Sequence, residues 1–169
     1  MPGSTAKNRK PLLLSLLFLA GAVLLFAAGL FLFNRAEDNA APYTPDWVTA
    51  KIVGDTQSTD LAKIDPGLVS KHYDIPNGTV VSSSLYMSKS SDSAAELSCF
   101  LLADTSKYDA LQDAVAAHIS AKTAGLKSLN PTQYALLKNY LITRHGRYVL
   151  VAVGQNAEAE DKAFQNIFE

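Results

Sequence analysis

The sequence predicts an α+β fold: an antiparallel sheet of about four strands, made of two hairpins, with helices on one face, preceded by one N-terminal transmembrane helix. Three observations predict it. Residues 12–33 (LLLSLLFLAGAVLLFAAGLFLF) are apolar and contain neither a charge nor a proline. Two pairs of β-forming stretches fold back on themselves, one across Ser88–Ser93 and one across His145-Gly146. Helical patterns with Asp, Asn and Gly at their ends follow each pair, an order that suits helices laid on an antiparallel sheet.

The apolar run would form a helix of roughly 33 Å, enough for a bilayer core of about 30 Å. Lys7, Arg9 and Lys10 precede it, and Arg35, Glu37 and Asp38 follow. Basic residues favour the cytoplasmic side. The organisation is therefore a cytoplasmic tail at 1–11, the membrane helix at 12–33, a linker at 34–45 and an extracytoplasmic domain at 46–169. The alternative is secretion after signal-peptide cleavage. Against it, signal-peptide apolar regions run about 7–15 residues, and Asn39-Ala40-Ala41 lacks the small outer residue of an A-x-A site.

The domain's elements follow in order. Asp46 offers an N-cap for a short helix over Trp47–Val53, ended by Gly54. Asp65-Pro66 opens a second through about His72, with proline where a missing N–H costs nothing. Asn77-Gly78 signals a turn into a strand over Thr79–Met87. After the polar loop SKSSDS, Ala94–Ala103 forms the second strand of the hairpin. A helix capped at Asp104, Thr105 or Ser106 runs to Ala124. Its stripe of Tyr108, Leu111, Val115, Ile119 and the Lys122 stem recurs at three- and four-residue spacing. Asn130-Pro131 starts another helix through about Lys138. Tyr140–Arg144 and Arg147–Val153 pair around His145-Gly146. Few polar residues interrupt the last strand, which should be central and buried on both faces. Asn156 caps a closing helix with Glu158 and Glu160 in its first turn and a buried stripe of Ala163, Phe164, Ile167 and Phe168.

Composition excludes several classes. From Tyr43 onward there are about eleven basic and fourteen acidic side chains, so phosphate neutralisation, the basis of nucleic-acid binding, is not available. The single cysteine, Cys99, forms no internal disulfide, and its apolar neighbours imply a buried, inert thiol. An outside-facing domain without a disulfide suits a bacterial envelope. Hydrolase, nucleotide-binding and HExxH patterns are absent from the sequence. The histidines His72, His118 and His145 show no ligand spacing, so neither a metal nor a cofactor is expected. Glu96 stands alone in an apolar strand. It reads as an exposed residue, or as the partner of Arg144 or Arg147. Candidate contact residues are the aromatics Tyr43 and Trp47, together with Glu96, Arg144 and Arg147.

Five short motifs carry a resemblance: Tyr73-Asp74-Ile75, Ala95-Glu96-Leu97, Asn130-Pro131-Thr132-Gln133-Tyr134, Asn139-Tyr140-Leu141-Ile142 and Gly146-Arg147-Tyr148-Val149. Spread over roughly Trp47 to Phe168, they resemble an uncharacterised bacterial envelope family, domain of unknown function 4358. The resemblance implies an envelope location and supplies no catalytic residues. Members are commonly lipoproteins, whereas this chain lacks the lipid-accepting cysteine. The function expected is a single-pass, membrane-anchored extracytoplasmic module that binds or assists in the cell envelope. Its partners would be the lipid bilayer and an envelope protein. The alternative is a membrane-tethered hydrolase acting on envelope polymers through a serine or paired carboxylates.

Overall fold

A computed structural model of the chain describes residues 19–29, 41–126 and 130–169. The chain separates into two units, Met1–Asp38 and Asn39–Glu169. In the first, residues 19–29 form a helix, α1, whose Leu19, Val23, Leu24, Leu25 and Phe26 are all exposed. Most of the predicted tail, membrane span and linker lies outside the described residues. Among the described residues, no helix is long and apolar enough to cross a membrane.

The second unit is the α+β domain. Its elements are α2 (Pro45–Asp55), β1 (Leu61–Lys63), α3 (Pro66–Tyr73), β2 (Val80–Ser88), β3 (Glu96–Leu102), α4 (Tyr108–Leu126), α5 (Pro131–Lys138), β4 (Leu141–His145), β5 (Tyr148–Val153) and α6 (Ala157–Ile167). The strands form one sheet in the order β1-β2-β3-β5-β4, and every neighbouring pair is antiparallel. The sheet thus has five strands where four were expected. The addition, β1, pairs Leu61 with Ser88 and Lys63 with Tyr86, and three residues are too few to display an alternation.

The helices cover both faces of the sheet, which corrects the expected one-sided arrangement. On one face, α3, α4 and α5 bring Val69, Tyr73, Leu111, Val115, Ile119 and Leu137 against Leu85, Phe100, Leu102, Val149 and Val151. On the other, α2 and α6 bring Val48, Ile52 and Phe164 against Leu97, Cys99, Leu101, Tyr148 and Leu150. All residues of β3 and β5 are consequently buried, as the apolar run of β5 predicts. Alternate residues of each strand enter different cores.

Two caps differ from expectation. Thr44, not Asp46, caps α2 by accepting the Trp47 N–H, with Pro45 in the first turn. Asp46 instead receives the Lys63 ammonium at 2.8 Å. Asn156 stands at the N-cap position of α6 without a capping hydrogen bond; its amide donates to Ser58 Oγ. Asn130 caps α5 through the Gln133 N–H, as read from Asn130-Pro131.

Candidate functional site

The first residue of β3 places a carboxylate inside the protein. Glu96 lies on the same strand face as Phe100 and Leu102, and its side chain is fully buried beneath α3 and α4. Four hydrogen-bond contacts satisfy it. Tyr73 Oη donates to Oε1 at 2.9 Å. His118 Nε2 lies 3.0 Å from Oε1 and 3.2 Å from Oε2. Lys122 Nζ donates to Oε2 at 2.5 Å and to the Ala94 carbonyl at 3.1 Å. Because the single Tyr73 hydroxyl proton goes to Glu96, Ser98 Oγ must donate to Tyr73 Oη across their 2.9 Å contact. His118 and Lys122 are one helical turn apart, so α4 presents both to the same carboxylate.

His118 Nδ1 stands 3.0 Å from the His72 carbonyl oxygen, which can only accept. The other ring nitrogen, Nε2, faces the Glu96 carboxylate. Burial by itself would raise the pKa of Glu96. The His118 hydrogen bond and the Lys122 charge overcome it and hold the carboxyl at about 2. Tyr73 moves the opposite way, well above its ordinary value, through burial and the adjacent Glu96 charge. A carboxylate this firmly ionised is a poor proton carrier near neutrality. Ser98 is fully buried. The cluster holds a carboxylate, a histidine and a serine, but His118 faces Glu96 and the His72 carbonyl, and the serine reaches Glu96 only through Tyr73. The chemistry this arrangement performs is to tie α3, α4 and β3 together.

A second polar region opens at the end of the sheet where β1 and β3 begin and β5 ends. It is a cleft of about 360 Å³ whose lining includes Ser58, Asp60, Gln133, Gln155, Asn156 and Glu160. Gly154 forms part of its wall with φ of +147°; a Cβ there would stand 3.3 Å from Ala95 Cβ, so a side chain would be strained and crowded. Gln133 commits its amide oxygen to the Ala94 N–H at 2.7 Å, which leaves a donating amide nitrogen. Glu160 is only 3 % exposed. Ser58 Oγ donates to its Oε1 at 2.9 Å. Burial raises its pKa, the Ser58 hydrogen bond lowers it, and the Asp60 charge adds to the rise, which prevails.

The structure does not bring the sequence-derived candidates together. Glu96 is buried rather than exposed, and its partners are His118 and Lys122 rather than Arg144 or Arg147. The reason is register. Glu96 begins β3 opposite Val153, while Arg147 lies beyond the other end, where Leu102 N–H donates to its carbonyl. Six residues of strand put those ends about 20 Å apart. Arg147 Nε donates to the Leu102 carbonyl at 2.8 Å. Arg144 lies over the Tyr108 ring, 5.2 Å from its centroid. Trp47 is exposed on α2 and stacked on Tyr43. Cys99 is buried, and burial pushes its thiol up, as its apolar neighbours imply.

Sequence reasoning missed the partnership of His118 and Lys122 with Glu96. Its signal was present: a lysine on the apolar stripe of a helix needs a buried acceptor. The Glu160 cleft had no such signal, because an acid in a first helical turn is ordinary.

Fold and site together define a small α+β domain with one sheet between two helical layers, an internal ion cluster and an open polar cleft. The family model described as domain of unknown function (DUF4358) matches residues 54–154, more than half of the chain, and the chain belongs to that family. The matched segment contains Glu96, Tyr73, His118 and Lys122 and stops short of Glu160. No curated protein and no solved structure matches the chain.

Proposed function

We propose that the protein is a single-pass, membrane-anchored extracytoplasmic binding module, an accessory component of the cell envelope, that takes a small polar ligand or polymer end in the Glu160 cleft. One observation carries the ligand site: a buried carboxyl in an open, polar cleft, with a single hydroxyl donor at one oxygen. Concave sites with a few convergent polar groups and a perturbed acid are where ligands are ordinarily held. The anchor rests on the apolar run at 12–33, its basic N-terminal flank and the exposed apolar side chains of α1.

The test is photo-crosslinking of the full-length protein in its native host. A photoreactive residue at Gln155, in the cleft, is compared with one at Lys71 on α3. A reproducible adduct at Gln155 that Glu160→Gln weakens, with none at Lys71, is expected. Equal labelling at both positions, or none at Gln155, overturns the site.

A hydrolase acting on envelope polymers is the second reading. It is favoured by the two carboxyl groups lining one cleft, where burial first and the Asp60 charge after it push Glu160 upward, an arrangement that can separate a general acid from an ionised partner. Release of soluble fragments from isolated envelopes, abolished by Glu160→Gln and by Asp60→Asn, would favour this reading over simple binding.

A further inference from the structure

The chain enters the domain through a ledge of aromatic rings. Tyr43 stacks on Trp47 with ring centroids 4.4 Å apart. Phe168 meets Tyr43 edge-on at 6.0 Å and stacks on His145 at 4.5 Å. The ledge is fixed to the sheet, because Tyr148 Oη donates to the Tyr43 carbonyl at 2.6 Å and accepts the Tyr43 N–H at 2.9 Å. Trp47 remains 45 % exposed, with only Leu68 and Val81 as other exposed large apolar side chains among the described residues of this domain.

Covalent reach and charge narrow what this ledge meets. Nine residues, 34–42, separate Tyr43 from the end of the apolar run at Phe33, and fully extended they span at most about 32 Å. Asp46, beside Trp47, is neutralised by Lys63. A groove of about 220 Å³ beside Phe168 is lined by Thr143, His145, Gln165 and Glu169, while the guanidinium of Arg144, also in its wall, lies over the Tyr108 ring, so the lining offers no arginine or lysine charge to an anionic headgroup. Tyrosine and tryptophan are the side chains that favour the bilayer–water boundary. We infer that the Tyr43–Trp47–Phe168 ledge docks on the membrane surface at the headgroup level, with zwitterionic phospholipid as its partner.

This inference rests on the membrane-anchored reading above and adds an orientation to it. The ledge gathers where Tyr148 begins β5, and the cleft opens where Val153 ends it, about 17 Å along the strand. Docking by the ledge therefore presents the cleft away from the membrane.

Trp47 is the single tryptophan of the chain, so its fluorescence reports the ledge alone. The experiment reconstitutes the full-length protein in phosphatidylcholine vesicles, with and without lipids carrying a quencher near the headgroup, after flotation. Expected are emission at shorter wavelength than in the urea-unfolded chain and loss of most of it to the shallow quencher. Raising the salt should leave the quenching unchanged, and Phe168→Ser should reduce it. Protein that floats with the vesicles while Trp47 keeps water-like, unquenched emission overturns the docking and leaves the anchor standing. Protein that fails to float overturns the anchor and the docking with it. Emission at shorter wavelength without lipid quenching, which the stack on Tyr43 gives without any lipid contact, also overturns the inference.

Discussion

The two helical layers each bury a glutamate against the sheet, and their surroundings drive them in opposite directions. Glu96, under α3 and α4, faces a lysine, a histidine and a tyrosine, and its carboxyl is held at about 2. Glu160, on α6, faces one serine and the repelling charge of Asp60, and its carboxyl is raised. Burial pushes both upward; the cations decide the sign. The difference separates a carboxylate used to hold the fold from one left able to answer a ligand or a proton.

The largest effect should come from breaking the first site. Glu96→Ala strands the Lys122 ammonium without its counter-charge and takes away the carboxylate that His118 faces, and removal of one partner of a buried pair costs about 3–5 kcal/mol. Urea unfolding measures it, and a loss near zero would make the cluster incidental. Acid should reproduce much of this in the unaltered protein. The folded pKa of Glu96 is depressed from 4.5 to about 2, so its stabilisation is present above pH 4.5 and is lost as pH falls towards 2. The loss should total about 3 kcal/mol. Unfolding at stepped pH checks it, and Glu96→Gln should flatten the profile.

A smaller effect is expected at Tyr73. Tyr73→Phe removes one donor to Glu96 and leaves the Ser98 hydroxyl without its acceptor, at a cost of about 1–3 kcal/mol by the same unfolding measurement. The smallest change should come at Glu160, and its sign should reverse. A carboxyl whose folded pKa is raised costs stability as pH rises through the unfolded value and onward. Glu160→Gln, which keeps an acceptor for Ser58, should leave stability at neutral pH unchanged or higher by no more than about 1 kcal/mol. A clear loss would place Glu160 with Glu96 as a structural charge.

The periodic elements were legible because their patterns are local. Both hairpins, the two-sided burial of β5, the long α4 and the capped α5 follow from alternation, helical spacing and the Asn130-Pro131 start, although β3 and not β5 is the central strand. The two-sided covering of the sheet was half-visible: a strand buried on both faces requires two covers, and Val48 and Ile52, four apart on α2, belong to the second. β1 was not legible, since three residues have no period. The Glu96 cluster joins β3, α3 and α4 across 22 to 26 residues of sequence, and only the fold brings Tyr73, His118 and Lys122 to one oxygen pair. The pairing with Arg144 or Arg147 failed because strand register, which sequence does not display, puts those arginines at the far end of the sheet.

The most direct test is a carbon-13 NMR titration of the glutamate side-chain carboxyls, with Glu96 and Glu160 assigned by single substitution. Glu96 should stay ionised until pH nears about 2, while Glu160 should take up its proton above the ordinary glutamate value of 4.5. Both carboxyls titrating together, near the ordinary value, would contradict this.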